Sequence, residues 1–343
     1  MDQGDRIDAL MIRRYFSDGT SRTIPAQDAE AVIASAARSL QTTDELAGGF
    51  TWVGAVDPPT EQLEALRDDL GLHALAVEDA VNGRRQPKLQ WFGEHLFIVL
   101  WRLRLTDEHR SVAISELYLF ARDGLLITVE RSRPGVPPLD VARLLDAAPP
   151  PLRGNALGAL HSVVSAVIEG YVAVGAYVED ELEQLEDQVF DETQEDDAAR
   201  LYSLRRDVGK VGRAVATIAS SFENNRDKLQ DFAEQYPTLI PYVLDLIDDL
   251  VSVARLTADQ EAALDGVITT HENSIASRQG SDSRTIAAIA AILAIPAVVA
   301  GLYGMNFPDL PLTQLRLGWI VVVAVIIALE LWAFFTLKRR RWF

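Results

Sequence analysis

Two stretches near the end of the chain lack the alternation of apolar and polar positions seen elsewhere. From Thr285 to Pro308 no side chain is charged, and from Leu317 to Leu337 the only charge is Glu330. Each reaches the roughly 20 residues needed to cross a hydrocarbon layer about 30 Å thick. The pattern therefore predicts two transmembrane helices, 285–308 and 317–337, joined by a short segment, 309–316. Upstream the pattern is that of folded, water-facing structure. Leu63, Leu66 and Leu70 fall at helical spacing within Glu61–Leu70. His95–Leu105 is rich in Leu, Phe, Ile, Val and Trp and partly alternates, as a strand does. Glu116–Phe120 and Leu125–Glu130 flank Arg122-Asp123-Gly124, a hairpin signature. Prolines at 134, 137, 138 and 149–151 then break the chain, with room for one short helix between them.

Beyond Ala156 apolar residues recur every three or four positions through Leu157–Phe190 and again from Ala198 to Ser220. The acidic run Glu179–Glu186 reads as a solvated helix face. Between Pro241 and Pro296 there is no proline, and an unbroken helix of that length runs about 80 Å. Gly266 and Gly280 weaken such a helix without ending it. The expected organisation is an α/β domain over 1–150, a helical domain over 151–284 that includes a stalk helix, the first span, an external loop at 309–316, the second span, and a basic tail at 338–343. The fold class is thus α+β followed by long helices and two C-terminal spans.

Charge sets the orientation. The chain carries −18 overall, yet beyond Arg284 basic residues outnumber acidic ones. Lys338, Arg339, Arg340 and Arg341 directly follow the second span, and Arg278 and Arg284 precede the first. By the positive-inside bias both termini face the cytoplasm of an inner (plasma) membrane protein. The acidic remainder disfavours nucleic acid and favours cations as partners. Cysteine is absent, so disulfides and thiolate metal sites are excluded. The N-terminal MDQGDRIDALMIRRYF has acidic residues where a signal peptide needs basic ones, so no leader is expected.

Gly304-Met305-Asn306 closes the first span. An amide side chain at the mouth of a helix bundle is badly placed to pack in lipid and well placed to meet a hydrated ion. With this tripeptide so placed, the chain resembles the CorA family of divalent-cation transporters. Further points of likeness are Val77-Glu78-Asp79 followed by Arg85-Gln86-Pro87-Lys88, the strand Leu96–Leu100, Leu126-Ile127-Thr128-Val129, Pro296 within the first span, and the basic tail ahead of Trp342. The resemblance covers nearly the whole chain. It implies a funnel-shaped homopentamer whose stalk helices continue into the pore, with the second span facing lipid.

In that frame Gly304, Met305 and Asn306 are the selectivity filter. Mg2+ holds its water tightly, and a ring of five Asn306 amides bonds the hydration shell without stripping it, weakly enough for the ion to leave. The family's pore face falls on Gly301, Ala297, Ala294, Ile286, Ser283 and Gly280. The sequence departs from the family here, which commonly has threonine at the position of Ala297, a bulky gate residue near Ala294 and asparagine near Gly280. Ile286 is then the remaining candidate for a narrow apolar gate. The resemblance also implies cytoplasmic Mg2+ bridging Asp79 of one subunit and Asp245 of the next, with Asp248 and Asp249 as near neighbours of the second. Mg2+ is thus both cargo and regulator, with Co2+ and Ni2+ as further cargo.

A zinc transporter of the same superfamily, with or without proton coupling, is the alternative kept open by the altered pore face. A membrane-anchored enzyme or sensor finds no support in HExxH, phosphate-loop or nucleophile–base patterns, so no enzymatic activity is expected. The five histidines are scattered along the chain. Glu330, costly within a lipid-facing span, lies near enough to Lys338 for interfacial hydration.

Overall fold

The computed structural model describes residues 10–25, 49–106, 111–133, 136–190, 198–305, 311, 317–340 and 342. It divides into two units, residues 1–265 and 266–343.

The first unit is built on a seven-stranded sheet. Its strands are β1 (Leu10–Phe16), β2 (Ser21–Ile24), β3 (Gly49–Val56), β4 (Lys88–Phe92), β5 (His95–Thr106), β6 (Ser111–Arg122) and β7 (Leu125–Arg131). The spatial order is β2-β1-β3-β7-β6-β5-β4. Every pairing is antiparallel except β3 with β7. The expected hairpin is present: Arg122 faces Leu125 across a tight turn, and Gly124 at φ 69 supplies the left-handed backbone the turn requires. The strand around Glu116 proves longer than its apolar run, because Ser111–Ser115 pair with the end of β5.

Alternation along the strands feeds both faces of the sheet. Phe97, Val99, Tyr118, Phe120, Ile127 and Val129 bury one face under helices α1 (Thr60–Leu70) and α2 (Ala74–Asn82), which contribute Leu63, Leu66, Leu70 and Val77. Leu96, Ile98, Leu100, Leu117, Leu119 and Leu126 bury the other face, which helix α4 (Ala156–Phe190) covers. Trp52 lies flat beside Gly54, where any Cβ would sit 2.4 Å from the indole, and its Nε1 donates to Thr128 Oγ1 at 3.0 Å. The short helix expected between the prolines is α3 (Val141–Ala147).

A buried ion pair closes this end of the sheet. Arg102 Nη2 meets Glu130 Oε1 at 2.6 Å, with the side chains only 4% and 3% exposed. Ser115 Oγ also donates to Glu130 Oε1, Leu139 N donates to its Oε2, and Arg102 donates to the Pro137 carbonyl. The network pins the proline-rich segment to the sheet and leaves neither charge without a partner.

Helices α5 (Ala198–Asn224) and α6 (Arg226–Ala233) complete the first unit, and α7 (Ile240–Tyr303) begins in it. The expected stalk is therefore one helix, running through Gly266 and Gly280 and past Pro296. Helix α8 (Gly318–Arg339) ends in Lys338 and Arg339.

Three helices among the described residues are long and apolar enough to cross a membrane. In α4, 56% of the apolar window is buried, against 6% in the α7 stretch and 0% in α8. Helix α4 spends its apolar face on the sheet, with Val163, Val167, Tyr171 and Val174 buried and the Tyr171 hydroxyl donating to the Trp101 carbonyl at 2.6 Å. Helices α7 and α8 leave theirs exposed, which is the pattern of a surface meant for lipid or for other copies of the chain.

Candidate ion-conducting site

The C-terminal part of α7 shows two unlike sides. Ala288 is fully buried, and Thr285, Ile292, Ile295, Pro296, Val299 and Tyr303 are partly shielded. Ile286 is 68% exposed, and Ser283, Ala294, Ala297 and Gly301 are exposed as well. At about 100° per residue the first set and the second have mean directions about 180° apart. The shielded side carries Thr285, whose hydroxyl donates to the Trp342 carbonyl at 3.0 Å, just past the end of α8. The six residues expected to line a pore thus share the side turned away from that contact, with Gly280 half-shielded at its lower end.

Two of the six are glycines for which the chain's own packing gives no reason. A Cβ on Gly280 or Gly301 would meet nothing within 4 Å, although glycine inside a helix costs roughly 1 kcal/mol relative to alanine. Gly304, by contrast, ends the helix: its N–H donates to the Ala300 carbonyl at 2.8 Å, and that of Met305 to the Leu302 carbonyl at 3.3 Å. Asn306 lies outside the described residues. On either side of it in the sequence, the Tyr303 hydroxyl donates to the Pro311 carbonyl at 3.0 Å. Glu330 is partly shielded on α8.

The two carboxylates expected to regulate have different settings. Asp79, on α2, is 9% exposed, with Oδ1 against Arg85 Nε at 2.7 Å and Oδ2 against Lys88 Nζ at 2.5 Å. The Arg85-Gln86-Pro87-Lys88 stretch is therefore wrapped back onto Asp79, and this carboxylate is not the solvated charge that its surface-type sequence context suggests. Asp245 is exposed on α7. Asp248 is taken by Arg226 at 2.9 Å, a pairing the sequence did not signal. Asp249 stands one turn beyond Asp245; burial, then Asp245, push its pKa up, and His161 opposes them. His161, on α4, has its pKa lowered by burial against the pull of Asp245 and Asp249. Among the described residues no three acidic or histidine side chains converge to hold a metal within one chain.

The family model described as "CorA-like Mg2+ transporter protein" matches residues 47–339. The cobalt/magnesium transport protein CorA of Thermotoga maritima is 22% identical over 308 residues, covering 85% of this chain and 83% of its own. The complete structure of the CorA magnesium transporter of Methanocaldococcus jannaschii superposes with a TM-score of 0.73 at 17% identity, over 97% of this chain and 98% of that one. The ZntB cytoplasmic domain of Vibrio parahaemolyticus superposes at 0.57 with 8% identity, over 78% of this chain and 99% of that one.

Proposed function

Because this chain belongs to the CorA-like Mg2+ transporter family, it is a transporter of divalent cations, and we propose that it is a Mg2+ channel with Asn306 as its selecting residue. The observation that carries this reading is the exposed side of α7. It presents Gly280, Ser283, Ile286, Ala294, Ala297 and Gly301 away from the contact with the α8 end, and leads to Gly304 and Met305. Small side chains there leave room for an ion that keeps its water, as Mg2+ does. The pore is formed by five copies of this side in a homopentamer, with α8 towards lipid and both termini in the cytoplasm of the inner membrane. Co2+ and Ni2+ are further cargo of the same chemistry.

Ions enter past a ring of Asn306 amides and descend to Ile286, the bulky apolar member of the six pore-side residues, where a ring of side chains closes the path by excluding water. Internal Mg2+ favours the closed state by neutralising carboxylates that face each other between subunits, with Asp245 the accessible member and Asp79 its partner. Removal of that ion lets the subunits separate.

The test is divalent flux in proteoliposomes with wild type and Asn306→Ala, across Mg2+, Co2+ and Zn2+. Mg2+ flux that falls at least tenfold in the variant is the expected result. Zn2+ uptake driven by a proton gradient, without Mg2+ flux, would replace this reading with that of a proton-coupled zinc transporter.

A further inference from the structure

Within the first unit, a cleft of about 520 Å3 opens between two hairpin turns of the sheet and helix α6. It is large enough for a small organic molecule. Trp91 and Phe232 form its apolar wall, with ring centroids 5.5 Å apart and the planes at 70°. Arg122, from the β6–β7 turn, and Lys228, from α6, bring two cations to it.

Arg122 is the residue without an account. Its Nε and Nη2 are shielded from solvent and meet no acceptor, and neither does the shielded Nε1 of Trp91. The neighbouring His95 Nε2 is likewise unpartnered. A desolvated donor without an acceptor costs about 1–3 kcal/mol, more when it is charged. Burial pushes the Arg122 pKa down, and only Glu94 pulls the other way. The acidic residues around the cleft do not supply the missing acceptor. Asp123 accepts from the Tyr236 hydroxyl at 2.8 Å, and Asp231 is exposed on α6. Arg122 lines the cleft while two of its donors lack an acceptor, and once a side-chain turn brings those donors to the cleft, the guanidinium, the second cation and the flat aromatic wall form a recognition set for an oxyanion carried on a ring.

We propose that this cleft binds a small organic anion, whose carboxylate or phosphate meets Arg122 and Lys228 while its flat body packs on Trp91 and Phe232. Glu94, Asp123 and Asp231 line the same cleft as the two cations and repel anions of high charge, so the site favours singly or doubly charged ligands. Nothing in the proposal depends on the transport reading, since every residue belongs to the first unit and none is placed on the ion path.

The experiment is isothermal titration of the full-length protein in nanodiscs with two probes, benzoate and adenosine monophosphate, and with adenosine as the ring-only control. At least one probe binds with a Kd below about 1 mM, and adenosine does not. Benzoate alone identifies a carboxylate site, and the nucleotide alone a phosphate site. Arg122→Gln weakens binding about tenfold or more, in line with a lost charge-assisted hydrogen bond, and Lys228→Gln, at an exposed position, weakens it several-fold. Ion flux without the probes is unchanged in both variants. Failure of both probes to bind overturns the proposal, as does wild-type affinity in Arg122→Gln. Should Arg122→Gln fail to fold, wild-type affinity in Lys228→Gln overturns it instead.

Discussion

The Tyr303 hydroxyl donates to the Pro311 carbonyl at 3.0 Å, across the segment that carries Asn306. A contact between positions on either side of Asn306 in the sequence lowers the conformational freedom that the chain between them has to lose. A neutral hydrogen bond of this kind contributes about 1 kcal/mol. Tyr303→Phe is therefore expected to leave the protein folded and to lower Mg2+ flux several-fold, with weaker discrimination against other divalent ions. Flux and competition assays in proteoliposomes measure both, and wild-type selectivity in the variant removes the role given to this contact.

Gly280 and Gly301 separate fold from function cleanly. Neither has a neighbour that a Cβ would touch within its own chain, so Gly301→Ala is expected to raise helix stability by up to about 1 kcal/mol. If five copies of this side form the path, Gly301→Leu narrows it and cuts flux sharply while the melting temperature stays level or rises. Unchanged flux in Gly301→Leu would place the ion path elsewhere.

Asp245 gives a better test of regulation than Asp79. Removing the Asp79 carboxylate also strands Arg85 and Lys88, both within 2.7 Å of it, so loss of function in such a variant confounds folding with regulation. Asp245 is exposed and takes part in no ion pair among the described residues. Asp245→Asn is expected to transport normally at low internal Mg2+ and to need several-fold more Mg2+ for closure. Flux recorded against internal Mg2+ checks this.

Long-range periodicity made the helices legible, because apolar spacing and proline placement act over tens of residues. The uninterrupted α7 and the β6–β7 hairpin are where the pattern put them. Strands β1, β2 and β3 were not legible. Glycines and polar residues interrupt their apolar runs, and β1 and β3 are held by pairing with partners farther along the chain, as β3 is with β7, while β2 is a four-residue edge strand on β1. Side-chain partnerships escaped for the same reason. Nothing local to Asp248 announces Arg226, and nothing local to His161 announces Asp249, since helices distant in sequence bring each pair together.

The Arg102–Glu130 pair makes the sharpest stability prediction. Both side chains are almost wholly buried and fully partnered, so deleting one strands the other charge. Glu130→Ala or Arg102→Ala is expected to destabilise the first unit by about 3–5 kcal/mol. The double replacement Arg102→Met with Glu130→Leu costs much less, because no charge is left unpaired. Chemical denaturation of the three variants gives the coupling directly, and additive losses in the double variant remove the pair's role.

His161 links the acidic end of α7 to pH. Burial lowers its folded pKa below the ordinary value of 6.5, although Asp245 and Asp249 pull it up and the Tyr242 backbone adds to that pull. His95 is lowered in the same way, by burial and by Arg122, with Glu94 opposing. For both rings the unfolded chain takes up a proton near pH 6.5 that the folded chain resists. Their contribution to stability is therefore full above that pH and is lost as pH falls through it. Asp249 has the opposite sign, because its raised pKa favours the folded state on protonation, but it acts in the carboxylate range above 3.8. Thermal unfolding from pH 7.5 down to pH 5.5 should thus show a fall that is shallower in His161→Gln and shallower again with His95→Gln added. An unchanged slope in the double variant would assign the acid sensitivity to other groups.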